Sequence, residues 1–140
     1  MLKLDACHQR QGRLLAHMEA GGIALAVLGN PKTIYYFTGS LVDPHRHHAF
    51  LLDSDGRSLL ITNVEPSQCA AESVDLYTGY TLERVFGRET MHRELVEMAR
   101  GFAGTRPGPA AIELEFVSAG LLGALDRQVE NLTPAIDRMR

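Results

Sequence analysis

A run of six apolar residues from Ile23 to Leu28 constrains the fold of this chain more than any other feature of its sequence. The run contains no polar residue that could face water, and glycines flank it at both ends. Short and wholly apolar runs are typical of strands that are buried on both faces of a sheet. A sheet that is covered on both faces needs helices packed on each side. The run therefore predicts a central strand of an α/β fold.

Apolar residues at helical spacing predict several helices around this strand. The first is amphipathic, runs from Leu4 to Met18 and is closed by Gly21-Gly22, because glycine adopts the left-handed conformation that ends helices. A short second helix is expected over residues 32–37, with Asn30-Pro31 as its cap and first turn. The same signals predict further helices over residues 65–72, 91–102 and 121–129.

The other strands are predicted from short runs that are rich in apolar residues. Residues 49–52 and 58–62 are separated by Asp53-Ser54-Asp55-Gly56, which is typical of a hairpin turn and makes these two strands antiparallel. Residues 74–77 and 110–114 have strand-like composition as well. Because strands alternate with helices, we expect a three-layer αβα sandwich with a mixed central sheet.

Length and composition predict one domain that binds neither membranes nor nucleic acid. The 140 residues fit a single domain, and their 45% hydrophobic content is ordinary for a globular protein. The net charge of −3 provides no basic footprint for nucleic acid. The N-terminus lacks a signal-peptide pattern, and no apolar run approaches the roughly 20 residues that cross a bilayer. Cys7 and Cys69 form no CxxC pattern, so we expect free thiols in a cytoplasmic protein.

Three histidines in the predicted loop 40–48 form the most suggestive group of polar side chains. His45 and His47 are two residues apart, so both can face one way in an extended segment, and His48 follows. Imidazole binds several transition metals, but this loop with Asp43 offers too few ligands, and no metal is assigned to it. A loop that faces a substrate or partner and a polar loop of exposed histidines both remain open.

Two glycine-containing segments fail the tests of the binding motifs they resemble. Residues 53–56 begin like a calcium loop, but its twelfth position is Val64, where a bidentate glutamate is required. Gly29 stands alone after the central strand, whereas a dinucleotide fingerprint needs three glycines there. Asn30 is therefore expected to act as a plain helix cap rather than to help hold an anion.

The polar residues near the predicted last strand and helix carry no catalytic motif either. Phe116 stands where the G-x-S-x-G pattern of a nucleophilic serine needs its first glycine, so Ser118 is interpreted as a helix N-cap. Glu113 and Glu115 have no third group to tune them, and we expect both to be solvated. No catalytic residue is assigned to this chain.

One stretch and the order of elements around it resemble a known family. The stretch, which lies between the central strand and the histidine loop, is Asn30-Pro31-x-x-Ile34-x-Tyr36-Phe37-Thr38-Gly39. It is similar to the N-terminal domain of the creatinase / prolidase / Xaa-Pro aminopeptidase family of pita-bread hydrolases. Residues 131–140 resemble the connector to the catalytic domain of that family. The resemblance predicts the N-terminal domain over residues 1–130 and the start of a connector over residues 131–140, with the catalytic domain absent from this chain.

The resemblance implies where the chemistry of such a protein lies. In the peptidases of this family the catalytic domain holds two divalent metal ions, and creatinase hydrolyses creatine at a metal-free site. The catalytic residues and any metal pair would therefore lie outside this chain, which we expect to be inactive alone. The resemblance also implies two partners, the catalytic domain and a second copy of the chain in a homodimer.

The role implied for this domain is to support dimerisation and to cap the substrate site. The loop after Gly39 is the candidate for capping, with Arg46 pairing with a substrate carboxylate and with His45 and His47 hydrogen-bonding to substrate. An alternative is a stand-alone module for dimerisation or small-molecule binding, with no enzyme attached.

Overall fold

The central sheet is mixed, and the predicted buried strand lies in its interior. The structure is a computed structural model that describes residues 3–78, 88–104 and 106–140, and only the backbone of residues 88–91. Within these ranges the strands follow the order β4-β3-β2-β1-β5-β6 across the sheet. Strand β2 is antiparallel to both of its neighbours, and the other pairs are parallel. The strands are β1 (Leu25–Leu28), β2 (Ala49–Asp53), β3 (Ser58–Thr62), β4 (Ser73–Leu76), β5 (Ala110–Ile112) and β6 (Val129–Asn131).

Helices cover both faces of this sheet, which confirms the predicted three-layer αβα architecture. Their bounds are α1 (Leu4–Gly21), α2 (Pro31–Thr38), α3 (Arg88–Ala103), α4 (Ala119–Leu125) and α5 (Thr133–Met139). Side chains of α1, α2 and α5 pack in one hydrophobic cluster, and those of α3 and α4 pack in another. The sheet separates the two clusters.

Strand β1 contributes to both clusters, as expected of a strand without a polar face. Leu25 and Val27 belong to the cluster of α3 and α4, whereas Ala26 and Leu28 belong to the cluster of α1, α2 and α5. All four side chains are fully buried. Burying a side chain the size of leucine or valine contributes roughly 1.5–3 kcal/mol, so β1 is a major source of stability on both sides.

The turn between β2 and β3 has the predicted hairpin geometry. The Asp53 carboxylate accepts hydrogen bonds from the backbone N–H groups of Asp55 and Arg57, at 2.9 and 3.1 Å. Gly56 has a φ of +88°, a left-handed conformation that glycine adopts without strain. Asp55 also pairs with Arg106, which ties the hairpin to the segment before β5.

Helix α2 is short, and other parts of the chain satisfy the carbonyls at its C-terminus. The last four carbonyls of a helix have no partner within the helix. Here each of them accepts a hydrogen bond: Tyr35 from the N–H of Gly39, Tyr36 from Arg10, Phe37 from the amide of Gln11, and Thr38 from the N–H of Ala70. These bonds hold α2 against α1 and fix the start of the following loop.

The helix predicted over residues 65–72 is wrong, because the structure contains an irregular segment there. Bonds to distant residues replace the hydrogen bonds that a helix would make. The N–H of Ala70 donates to Thr38, and the carbonyl of Gln68 accepts the hydroxyl of Ser40 at 2.6 Å. The N–H of Glu72 donates to the Ser58 hydroxyl at 2.8 Å. These tertiary hydrogen bonds therefore outweigh the local preference of residues 65–72 for a helix.

The C-terminal end of the chain also differs from the prediction. The helix predicted to reach Val129 ends at Leu125, since Asp126 has a φ of +46° that terminates it, and Val129 lies in β6. Residues 131–140, predicted as the start of a connector, form the end of β6 and helix α5. Leu132 and Ile136 are buried in the core. Their burial holds this segment against the sheet, and its continuation into a catalytic domain stays a prediction.

Candidate functional site

Most of the polar loops that were singled out in the sequence lie at one edge of the sheet. We call it the carboxyl edge, because β1 and β5 both end there. Strands β1 and β5 are parallel and both end at this edge, and the antiparallel β2 begins there. In open α/β sheets, ligands bind outside the carboxyl ends of the strands. An open cleft of about 270 Å³ lies at this edge, lined by Gly29, Pro31, Pro44, His45, Arg46, His47, His48 and Phe116.

Gly29 permits the close approach that forms one wall of the cleft. A Cβ atom at this position would lie 2.2 Å from the carbonyl oxygen of Phe116, which is far inside van der Waals contact. The segment after β5 can therefore pass over the end of β1 only because residue 29 has no side chain. The lone glycine has a packing role here, and it takes no part in a dinucleotide motif.

The prediction that Glu113 is solvated is wrong. Its side chain is only 2% exposed, and Oε1 accepts hydrogen bonds from the N–H groups of Gly29 at 3.0 Å and Asn30 at 3.1 Å. This carboxylate occupies the position at the start of α2 where the sequence left room for an external anion. Asn30 caps α2 as predicted, accepting the N–H of Lys32.

Two opposing influences set the pKa of Glu113. Burial raises the pKa, since the charged form loses its hydration. Hydrogen bonds from Asn30, Thr33 and Gly29, together with the charge of Arg140, act in the opposite direction. The net pKa lies above the ordinary value. Glu113 therefore links β5 to the start of α2 at an electrostatic cost.

His48 anchors the histidine loop to the sheet. Its ring is 5% exposed, with Nε2 2.7 Å from the Asp43 carbonyl and Nδ1 2.9 Å from the Thr62 hydroxyl. A carbonyl only accepts, so Nε2 carries the proton and Nδ1 accepts from Thr62 in the neutral ring. Burial lowers the pKa of His48, which favours this neutral form. Both ring nitrogens of His48 are thus used in contacts within the protein, which gives this residue a structural role at the wall of the cleft.

Further contacts hold the rest of the loop in one conformation. The Tyr77 hydroxyl donates to the carbonyl of His47 at 2.7 Å, and burial raises the pKa of Tyr77. The Asp43 carboxylate accepts the N–H of His45 at 2.9 Å and forms an ion pair with Arg46 at 3.8 Å. His45 and His47 are exposed and Arg46 is half-buried, so these three side chains remain at the surface of a fixed loop.

His92 on α3 also lies in this region, and the sequence patterns did not predict its location. The rings of His92 and His47 are 5.3 Å apart between centroids, and Nε2 of His92 is 2.8 Å from the hydroxyl of Ser118. Ser118 is the N-cap of α4, as predicted, and accepts the N–H of Leu121. Burial, and secondarily the neighbouring His47, lowers the pKa of His92. No signal in the sequence places His92 here, because its location depends on how α3 packs.

Neither a protein metal cage nor a membrane span is found in the described part of the chain. No three His, Cys, Asp or Glu side chains among residues 3–78, 88–104 and 106–140 are grouped so that they could hold a metal ion. Within the same ranges, every helix is too short or too polar to cross a bilayer.

Solved structures with the same fold include a Creatine_N superfamily domain of a dipeptidase, a proline dipeptidase and part of a prolidase. The Creatine_N superfamily domain of a dipeptidase from Streptococcus thermophilus has a TM-score of 0.65 and 21% identity, with 94% of this chain and 98% of that chain covered. A proline dipeptidase from Streptococcus pneumoniae has a TM-score of 0.62 and 23% identity, with 93% and 96% covered. The prolidase from Pyrococcus horikoshii has a TM-score of 0.64 and 13% identity, with 94% of this chain but only 35% of that chain covered.

Sequence comparison gives the family directly. Among proteins of curated function, none matches this chain. The family model of the creatinase/prolidase N-terminal domain matches residues 10–140, which is nearly the whole sequence. This match covers α2, the histidine loop, the carboxyl edge of the sheet and α5. The chain therefore belongs to the creatinase/prolidase N-terminal domain family.

Proposed function

We propose that this chain is the non-catalytic accessory domain of a creatinase-like or Xaa-Pro dipeptidase- or aminopeptidase-like hydrolase. It supports a homodimer and caps a substrate site that is built mainly by a catalytic domain. Any pair of divalent metal ions belongs to that catalytic domain, and the protein is cytoplasmic. The observation that carries the proposal is the loop at the carboxyl edge, which is held by His48 and Tyr77 and presents His45, Arg46 and His47 at an open cleft.

The chemistry of the loop suits recognition of a carboxylate. The Arg46 guanidinium lies 3.8 Å from Asp43, which is longer than the roughly 2.7–2.9 Å of a charge-assisted hydrogen bond. A guanidinium such as that of Arg46 can bind a substrate carboxylate through two parallel N–H donors in bidentate geometry. The exposed imidazoles of His45 and His47 flank Arg46 and can donate or accept further hydrogen bonds.

Apolar side chains near the same edge support the proposed contact with another domain or subunit. Leu114 is 39% exposed and Phe116 is 44% exposed, both in the segment that follows β5. Val64, which follows β3, is 67% exposed. Contiguous exposed apolar surface marks interaction sites, and Leu114 and Phe116 lie two residues apart in one segment. Analytical ultracentrifugation tests the dimer, and a Phe116→Ser variant should shift it toward monomer.

Turnover measurements on the purified chain test the accessory role. The 140-residue chain should hydrolyse neither Xaa-Pro dipeptides nor creatine, with or without added Mn²⁺. Turnover that disappears in Arg46→Ala but persists in Arg100→Ala would contradict the proposal, because the loop would then carry an active site. Arg100 is a suitable control since it pairs with Glu97 on α3.

The gene distinguishes this role from the alternative of a stand-alone module for dimerisation or small-molecule binding. A reading frame that continues past Arg140 into a catalytic domain supports the accessory role. A stop codon after Arg140 favours the alternative.

A further inference from the structure

Three arginines surround one tyrosine on the face formed by α1, α2 and α5. The guanidinium carbon of Arg10 lies 4.2 Å from the centre of the Tyr36 ring, and that of Arg140 lies 6.0 Å from it. Arg13 donates to the Tyr36 hydroxyl at 3.0 Å. We refer to Arg10, Arg13 and Arg140 as the arginine cluster.

Arg10, Arg13 and Arg140 form no ion pair with a carboxylate in the described part of the chain. The ion pairs found among residues 3–78, 88–104 and 106–140 use other arginines, namely Arg46, Arg100 and Arg106. Glu113 senses the charge of Arg140, but its carboxylate is buried and already accepts two backbone N–H groups. Three cations are thus concentrated on one face of a chain whose net charge is −3.

The structural contacts of these arginines leave most of their donors available. Arg10 donates to the carbonyl of Tyr36, and Arg140 donates to the hydroxyl of Thr33 at 2.8 Å. A guanidinium has five N–H donors, so a single contact to the protein uses only part of its capacity. The ring face of Tyr36 attracts cations, which offsets part of the repulsion between the arginines. The contacts with the Tyr36 ring depend on the charge of Arg10 and Arg140, whereas a neutral side chain could make the hydrogen bond of Arg13 to the Tyr36 hydroxyl.

We propose that the arginine cluster binds an acidic segment of a partner protein. The three cations lie at the ring face and at the hydroxyl end of Tyr36 instead of converging on one point, which suits several carboxylates better than a single small anion. Arginine is the side chain best adapted to pair with carboxylates in bidentate geometry. Nucleic acid is the less favoured partner, because typical contacts involve about 6–10 phosphates and the whole chain carries negative charge.

A fluorescent hexaglutamate peptide tests the proposal by anisotropy. Saturable binding is expected in about 20 mM salt, with weaker binding at about 150 mM because exposed charges are screened. Arg13→Gln and Arg140→Gln should each weaken binding about two- to fivefold, the range for exposed ion pairs. Arg10→Lys keeps the positive charge, so it should weaken peptide binding less than Arg10→Gln does. Arg100→Gln is the matched control on α3 and should leave the affinity unchanged.

Three results would overturn this inference. The first is an absence of saturable peptide binding. The second is an equal loss of affinity in Arg100→Gln, which would mean that only the net charge matters. The third is a single-stranded oligonucleotide that binds more tightly than the peptide with the same dependence on the arginine cluster. Arg13 is exposed, so Arg13→Gln should keep the wild-type circular dichroism spectrum and remain interpretable.

Discussion

Replacing Glu113 with alanine should destabilise the protein strongly, although this residue has no catalytic role. The buried Oε1 atom accepts the N–H groups of Gly29 and Asn30 at 3.0 and 3.1 Å. Glu113→Ala removes this acceptor and leaves two part-buried backbone donors without their protein partner. An unsatisfied donor costs about 1–3 kcal/mol when it is fully buried, and we expect these part-buried donors to lie in the lower half of that range. The raised pKa shows that the native carboxylate already loses part of this stabilisation to burial, so we expect a net loss of about 2–4 kcal/mol.

Urea unfolding measures this loss, with Glu115→Ala as the matched control. Glu115 lies two residues further on and is exposed. For a slope of about 1–3 kcal/mol/M, a loss of about 3 kcal/mol lowers the midpoint by about 1–3 M. Glu113→Gln keeps an oxygen acceptor, so its free energy of unfolding should fall less than that of Glu113→Ala. If the free energies of unfolding of Glu113→Ala and Glu115→Ala differ by less than about 0.5 kcal/mol, the role assigned to the Glu113 carboxylate is incorrect.

Three further predictions concern the same edge of the sheet. Gly29→Ala should cost about 1–3 kcal/mol or more in urea unfolding, because its Cβ would lie 2.2 Å from the Phe116 carbonyl; a wild-type midpoint would refute this. The folded-state pKa of His48 is lowered below its usual 6.5, so its neutral ring stabilises the fold above about pH 6.5, and this contribution is lost as the pH falls toward the folded-state pKa. Thermal melts of His48→Gln should therefore depend less on pH between about 5 and 7 than those of wild type, and parallel curves would contradict it. Tyr77→Phe leaves the His47 carbonyl without its hydroxyl donor and should cost about 0.5–1.5 kcal/mol while speeding amide exchange in residues 43–47; unchanged exchange would mean that Tyr77 does not hold the loop.

The layer architecture could be predicted because β1 and the hairpin carry strong local signals. A wholly apolar run predicts burial on both faces, and Asp55-Gly56 predicts an antiparallel pair. Capping by Asn30 and Ser118 follows from side-chain chemistry within a few residues of each helix start. These features depend on neighbours in sequence, so a single sequence contains them.

The features that sequence reasoning missed depend on residues that are distant in sequence. The buried carboxylate of Glu113 is stabilised by a hydrogen bond from the N–H of Gly29, which lies 84 residues earlier in the chain. Residues 65–72 form no helix, because their backbone groups make hydrogen bonds with residues of α2, β3 and the histidine loop. His92 reaches His47 only through the packing of α3 on the sheet. Pairings at such separation have no local pattern, because only the assembled fold brings the partners together.

Site-specific photo-crosslinking from the histidine loop tests the accessory role most directly. A benzoylphenylalanine replaces His45 in the cells of origin, and an exposed position on α1, Gln9, serves as the control. Mass spectrometry of the products should show crosslinks from position 45 to residues that line the substrate site of a hydrolase catalytic domain, whether in the same chain or in a second subunit. Crosslinks from position 45 that avoid such a site, or that match those from position 9, would contradict the account of this domain as a cap.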